Sequence, residues 1–569
     1  MIGIKNFFRA SAEDFKKIPG SPVAYWVSRE FVDAFEFPSV EMKVLKICKG
    51  CFTGNNELYL RLWFEVGFEE IASDKWHKYS KGGRFRRWYG NSDRVILWEN
   101  NGRVLKSETR AGMGASQYFG KEHFVWSGIS TGLASFRYDP NDVFFDDVSP
   151  ALVFDVEVDC NLLAILNSKP VASFLHVIAP TMHFQAGDIK MIPMCSVSDK
   201  RVDVTRLVDL AKKDWDAYEI SWDFMVNPLV ATRSVSEASD KSAFQLSSLY
   251  AAVRARWAKN CEEMRRLETE NNRIFIEAYG LQDELTPEVP WHEITLTCNP
   301  WYRYGVKEVE KVGGGGDSFP LNPELEARLK ADTVKELISY AVGCMMGRYA
   351  IDKPGLILAD QGSTYGDYLA KVSEPEFDPD EDGIIPVIDE DCFADDIVIQ
   401  FHKFLRTAFG AANFNANLSF IEEAIGKDLR SYFTKDFYGD HLQRYQKRPI
   451  YWLFSSPKGT FSALVYLHRY HPGTVGQVLT YLRSHITNLK SRLDAADRTT
   501  ADPVATQGMK TKAIKERTKL MRQLKELEDY ERDVLHPLAS ERLEIDLDDG
   551  VKVNYPKFGK ALRKIPGFE

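Results

Sequence analysis

Two stretches hold the residue types best suited to chemistry. Lys49-Gly-Cys-Phe-Thr-Gly-Asn-Asn56 precedes Lys75-Trp-His-Lys-Tyr-Ser-Lys-Gly-Gly-Arg-Phe-Arg-Arg-Trp-Tyr-Gly90. Between Lys75 and Arg110 stand ten Lys/Arg against three Asp/Glu, a local balance of +7 in a chain whose net charge is -9. Cations at that density neutralise phosphates and release their counterions, and the interleaved Trp76, Tyr79, Phe85, Trp88 and Tyr89 offer faces for stacking or for anchoring a loop. The pattern reads as a nucleic-acid contact. The competing reading is a solvated hairpin whose aromatic residues are its core face.

Other candidate motifs carry less. Cys48 and Cys51 are the only cysteines of eight at metal-ligand spacing, and without a second pair or a nearby histidine they predict no metal. Asn299-Pro-Trp-Tyr302 invites comparison with the Asn-Pro-Pro-Tyr tetrad of amino methyltransferases, in which Asn and a backbone carbonyl hold the exocyclic amine of a flipped base. No glycine turn after an early strand precedes it to hold S-adenosylmethionine, so no catalytic residue is expected here. Asp378-Pro-Asp-Glu-Asp-Gly383 matches the first half of a calcium loop, with Asp389 in the last ligand position, but Pro386 breaks the match. Eleven scattered histidines single out no nucleophilic triad.

These residues need elements to position them. At 569 residues the chain exceeds a single core, and 44% hydrophobic content can bury several. Short alternating runs at Val44–Ile47, Leu58–Trp63, Arg94–Trp98, Ser135–Tyr138 and Val143–Phe145 predict strands. A helix is predicted over Leu162–Leu175, kinked or restarted at Pro170. From Val202 the period turns helical: Val204, Leu207, Val208, Ala211 and Trp215 share a face, and a pattern from Leu249 to Ala278 runs on to a C-capping Gly280. Residues 313–316 are four glycines, expected as a loop, and residues 374–396 carry eleven acids and no base, expected as a solvated or partner-facing acidic loop. Stripes at Val475–Leu493 and Leu520–Val534, across a polar linker near Thr499–Pro503, predict two antiparallel helices. No run approaches the roughly 18 apolar residues of a membrane span, and the N-terminus lacks a secretory pattern, so a cytoplasmic protein without a membrane partner is expected.

Longer motifs carry a resemblance. Thr53-Gly-Asn-Asn-Glu-Leu-Tyr-Leu-Arg61-Leu-Trp, Lys81-Gly-Gly-Arg-Phe-Arg-Arg-Trp-Tyr-Gly-Asn91, Leu166-Asn-Ser-Lys169 and His183-Phe-Gln-Ala-Gly-Asp-Ile-Lys-Met-Ile-Pro193 resemble the target-recognition region of the BREX phage-exclusion adenine-specific DNA methyltransferases, the PglX family. Ile274–Pro287, Arg448–Ser456 and Ile545–Pro556 are similar to that family's C-terminal half. The resemblance covers nearly the whole chain. It implies a methyltransferase domain in front of this region, and the stretch Ser11–Trp26 looks like the join after it. Either a separate subunit supplies catalysis or the chain is a truncated product.

The expected fold is therefore α+β and multidomain: a strand-rich target-recognition domain over 1–198, a helical spacer over 199–284, a mixed, mainly helical C-terminal domain over 285–473, and a helical hairpin with tail over 474–569. The expected function is recognition of double-stranded DNA for a site-specific adenine-N6 methyltransferase. The resemblance implies S-adenosylmethionine for the catalytic domain, none in this chain, and as partners that upstream domain or subunit and other BREX defence proteins. Lys75, Lys78, Lys81, Arg84, Arg86 and Arg87 are candidates for phosphate or guanine contacts, with Trp88 and Tyr89 as the aromatic pair beside them. Thr53, Asn55, His183 and Gln185 are candidates for base edges. A second reading, from another class, is a protein-interaction scaffold of a defence complex with little DNA binding of its own.

Overall fold

Eight short strands build the N-terminal part of the chain: β1 (Lys46–Cys48), β2 (Leu60–Leu62), β3 (Trp76–Ser80), β4 (Arg94–Leu97), β5 (His123–Trp126), β6 (Phe136–Asp139), β7 (Val143–Phe145) and β8 (Ala151–Val153). The computed structural model describes residues 12–73, 75–130, 132–155, 158–195, 202–235, 244–307, 318–390 and 392–568. The four glycines at 313–316 lie outside the described residues. The strands form two four-stranded sheets, ordered β1-β8-β5-β6 and β2-β4-β3-β7, and the second is mixed because β7 runs parallel to β3. Their apolar residues share cores. Tyr59, Tyr79, Ile96, Trp98 and Phe144 form one cluster, and Val125, Phe145, Ala151 and Val153 another.

Helices close this unit. Cys160–Leu166 and Lys169–Ile178 are separate helices because Pro170 can only occupy the first turn of the second. Between them Asn167 returns to the sheet: its Oδ1 accepts from the Phe136 amide and its Nδ2 donates to the Phe136 carbonyl, each at 3.0 Å. The helices Val204–Trp215 and Leu246–Tyr279 follow, and Gly280, at φ +71°, ends the second of them. The chain divides into two compact units. The first comprises residues up to Trp63, Ile71–Trp222 and Val253–Leu329, so most of the stretch expected as a spacer belongs to the strand-rich unit.

The second unit comprises Phe64–Glu70, Asp223–Ala252 and the residues from Lys330 onward. It holds a small antiparallel sheet of β9 (Ile384–Pro386), β10 (Tyr451–Ser455) and β11 (Ser462–Tyr466), in the order β10-β11-β9. The helices Thr474–Ala501 and Gln507–Tyr530 form the expected hairpin, antiparallel by the pairs Arg483–Glu531 at 2.7 Å and Arg517–Asp497 at 2.6 Å. Their stripes join Trp452, Phe454 and Val465 in one core, with Leu482, Leu489, Leu520 and Leu527 fully buried.

The acidic stretch 374–396 is solvated only in part: Glu374, Glu376, Asp378, Glu381 and Asp389 are exposed, while others work inside the fold. Asp396 is buried and caps the helix Ile397–Phe409 while pairing with Arg430, and Asp395 accepts the Tyr481 hydroxyl. Asp380 accepts from the amides of Gly383 and Ile384, which turns the chain into β9, and burial beside Asp382 pushes its carboxyl up to about 7. Asp380, Asp395 and Asp396 act within the fold because buried donors need acceptors. Among the described residues no group of three His, Cys, Asp or Glu is arranged to hold a metal. Among them, too, no single helix is long and apolar enough to cross a membrane; the bent pair formed by Cys160–Leu166 and Lys169–Ile178 passes by composition only and buries its apolar faces in the first unit.

Candidate nucleic-acid interface

The basic segment separates into cations used by the fold and cations left at the surface. Arg86 is of the first kind. Its guanidinium is buried, donating from Nη2 to Asp214 Oδ2 at 2.8 Å, from Nη1 to Thr297 Oγ1 at 3.0 Å and from Nε to the Tyr89 carbonyl at 2.8 Å. It also lies over the Trp215 ring. Burial works against its charge, the Asp214 carboxylate together with Tyr302 and Tyr218 outweighs that, and its pKa ends above the ordinary value. Arg87 donates to Glu268 Oε2 at 2.7 Å and to Glu293 Oε2 at 3.3 Å, and Trp88 Nε1 donates to the other Glu268 oxygen at 2.7 Å.

Arg86, Arg87, Trp88 and Tyr89 are thus removed from the contact set. They are a clasp that joins the strands to the helices carrying Asp214 and Glu268, and a buried, paired guanidinium is not offered to a phosphate. The backbone enforces this: Trp88 sits at φ +74°, held by amide and carbonyl bonds to Phe136 and Tyr138, so its indole is turned inward. Thr53 leaves the set too, because it is buried with its hydroxyl on Asn56 Oδ1 at 2.7 Å.

The others vary. Lys78 is half-buried, paired with Asp142 at 2.9 Å and lying over Trp222. Lys81 pairs at 2.7 Å with the buried Asp146, which also accepts the Tyr79 hydroxyl at 2.5 Å. Lys75, ahead of β3, and Asn55, ahead of the short helix Asn56–Tyr59, are half-buried. Arg84 alone of the six candidate cations is fully exposed, and its side chain has no ion pair among the described residues.

Arg84 is presented by a turn that requires glycine. Gly82 and Gly83 adopt φ +73° and +148°, and a Cβ on Gly83 would stand 2.7 Å from the Asn91 amide group, whose Nδ2 donates to the Arg84 carbonyl. Beside it runs Ser127-Gly-Ile-Ser130, a segment that sequence reasoning missed although Gly128 and Gly132 mark it as a turn. Ser127 Oγ donates to the Gly83 carbonyl at 3.2 Å, and Gly128 bridges two neighbours, its amide donating to Val148 and its carbonyl accepting from Phe184. Ile129 pairs with His183, and Ser130 donates to the Met182 carbonyl. The fold therefore brings together Gly82–Arg84, Ile129, Val148 and Met182–Gln185, which are 45 to 101 residues apart in the chain when counted from Arg84 to Ile129 and to Gln185.

This surface mixes functional groups. Arg84 supplies a fixed charge, His183 is exposed, and Gln185, exposed at the start of the helix Ala186–Lys190, accepts from the Asp188 amide in a capping box and keeps its amide NH2 free to donate. Ile129 and Met182 expose 54% and 56% of their surface, more than folding alone demands of apolar residues. Guanidinium, imidazole and carboxamide beside apolar side chains are the types that read base edges and thymine methyls in a groove.

No family model matches the chain. It is 33% identical over 99% of its length to the adenine-specific methyltransferase BrxX of Escherichia coli O9:H4 (strain HS), and 35% identical over 97% of its length to the adenine-specific methyltransferase PglX of Lacticaseibacillus casei (strain Zhang). The chain is homologous to part of an adenine-specific methyltransferase. It spans about half the length of these relatives, 47% and 45% respectively.

The methyltransferase homology sends attention back to Asn299-Pro-Trp-Tyr302, and the local geometry does not fit methyl transfer. Asn299 is fully buried and every polar atom of its amide is spent: Oδ1 accepts from the Trp301 amide at 3.1 Å, and Nδ2 donates to the carbonyls of Trp291 and Ile294 at 2.7 and 2.9 Å. Trp301 Nε1 donates to Pro320 and the Tyr302 hydroxyl to Phe85. The tetrad is an N-cap that fixes a four-residue helix, and no step of methyl transfer is assigned to it. Asn299→Ala is accordingly expected to cost stability, on the order of 1 to 3 kcal/mol from stranded carbonyls, and to leave DNA affinity of the folded protein unchanged. Denaturant titration and DNA titration of the same variant check both halves.

Proposed function

We propose that this chain is the target-recognition and C-terminal portion of a BREX-type DNA adenine-N6 methyltransferase acting in phage defence. In this reading it holds duplex DNA for a methyltransferase domain beyond these residues, which would bind S-adenosylmethionine and flip the adenine. The observation that carries the reading is the gathering of Arg84, Ile129, His183 and Gln185 on one surface of a unit homologous to part of two adenine-specific methyltransferases. The positioning is physical. Glycine turns and main-chain bonds fix the loops, while the side chains that would reach the DNA keep their polar ends exposed.

Arg84 supplies the test. As a phosphate contact, Arg84→Ala weakens binding on all sequences and flattens the slope of log affinity against log salt by about 1. As a guanine contact, the loss concentrates on one sequence and amounts to about 1 to 3 kcal/mol. Fluorescence anisotropy at several salt concentrations separates the two outcomes, and unchanged affinity and slope would take the loop out of the interface.

A further inference from the structure

The second unit carries a cationic surface that the sequence motifs did not single out. From Lys510 to Lys525, on the second helix of the hairpin, stand Lys510, Lys512, Lys515, Arg517, Lys519, Arg522 and Lys525 against the single acid Glu516. Arg517 is paired with Asp497, and Glu516 is spent on Arg492. Lys512, Lys515, Lys519 and Arg522 are all exposed and have no ion pair among the described residues.

Their spacing places them together. The intervals i, i+3, i+7 and i+10 put four cations on one face of an α-helix within an arc of about 80°, over a length of about 15 Å. One turn past Arg522, on the same face, Glu526 accepts from the hydroxyls of Ser456 and Thr460 at 2.7 Å and, among the described residues, forms no ion pair with any of the four. The opposite face, Ala513, Leu520, Leu524 and Leu527, is buried in the hairpin core, which holds the stripe outward and rigid. Like charges at these intervals repel, so the arrangement costs the helix some stability. It occurs in a chain whose net charge is -9.

We infer that Lys512, Lys515, Lys519 and Arg522 form a second DNA contact, one that grips the phosphate backbone of a duplex without reading sequence. Charge complementarity selects a polyanion, since about 15 Å of duplex carries about nine negative charges. The choice of duplex DNA rests on the function proposed above; the stripe itself does not. A protein helix or groove is a poorer occupant because the exposed Ile514 and Met521 lie off the stripe, on another face, leaving no apolar anchor within it. Three of the four are lysines, which act on phosphate as flexible point charges.

The test uses the whole chain and a labelled mixed-sequence duplex of random composition. The quadruple substitution Lys512→Gln, Lys515→Gln, Lys519→Gln and Arg522→Gln keeps helix propensity and touches no buried atom, so it folds as before. The inference predicts a salt slope reduced by about 3 to 4 and binding at 0.1 M salt on the order of 10- to 1,000-fold weaker, equally on every sequence. The preference among sequences stays unchanged. The double reversal Lys512→Glu with Lys519→Glu is expected to weaken binding at least as much. A folded quadruple variant with the parental slope and affinity overturns the inference, and so does a loss seen on vesicles of anionic lipid but not on duplex. If the unaltered chain binds all duplexes alike yet the stripe governs the slope, the backbone contact stands and only the target-recognition reading fails.

Discussion

Replacing Arg87 by alanine is expected to lower the free energy of unfolding by about 3 to 5 kcal/mol. The side chain is buried, and its removal leaves Glu268 ionised between a tryptophan N–H and empty space, with Glu293 losing its partner as well. Burial already pushes the Glu268 carboxyl above its ordinary range, with the Arg87 charge and the Trp88 hydrogen bond pulling it back, so without Arg87 that carboxyl moves further up. The double change Arg87→Met with Glu268→Leu, which removes both charges from the interior, is expected to recover much of the loss. Arg84→Ala, by contrast, stays within about 0.5 kcal/mol of the parent because the residue is exposed. Urea titrations of the three proteins decide. An Arg87→Ala protein as stable as its parent would mean that the guanidinium is not in the clasp, and would return it to the DNA-contact set.

The second unit is expected to lose stability as the pH falls from neutral, through histidines that are buried neutral. His468 lies with Nε2 3.2 Å from the Val66 carbonyl, and burial beside the Arg348 charge pulls it down to about 3. His441 is held well below its ordinary value by burial and by Arg444 and Arg348, and its Nε2 accepts from the Tyr451 amide, which a protonated ring cannot do. The unfolded imidazole takes a proton near 6.5, and that of folded His468 only near 3. Between those values the unfolded state binds more protons, so stability falls with falling pH by about 1.4 kcal/mol per unit through His468, and His441 acts in the same sense. Asp380 works in the opposite sense: its folded carboxyl at about 7 makes the native state the better proton acceptor as the pH falls below that value. The difference between parent and variant therefore isolates the histidine. His468→Gln keeps an N–H for Val66 and cannot titrate, so between pH 7.5 and pH 5 it loses about 2 kcal/mol less than the parent does. Parent and variant falling in parallel over that interval would refute a neutral buried His468.

Local periodicity made much of the framework legible. The runs at Arg94 and Val143 became β4 and β7, Pro170 marked a helix restart, Gly280 ended the 34-residue helix, and the two C-terminal stripes met as a hairpin. Strands β3, β5 and β8 and the three strands of the second unit were missed, because they are short and most of their residues are buried on both faces, so no alternation marks them. The site was half legible. Composition finds a cation but not its partner: Arg84 and Arg86 look alike in sequence, and only the fold shows that Asp214 lies against one and solvent against the other. The same ambiguity hid the stripe at Lys512–Arg522, which reads as an ordinary charged helix until its lack of facing acids is seen. It also hid the roles of Asp395 and Asp396, whose partners Tyr481 and Arg430 come from elsewhere in the unit.

The central claim, that this chain recognises a DNA target, is tested most directly by selection from a random duplex library. The full chain is incubated with 30-base-pair duplexes carrying a randomised core, the bound fraction is recovered at about 0.15 M salt, and its sequences are counted. Enrichment of one short motif by the unaltered chain is expected, relaxed at a single base position when Gln185 is replaced by alanine. Bound and unbound pools of the same sequence composition would contradict it.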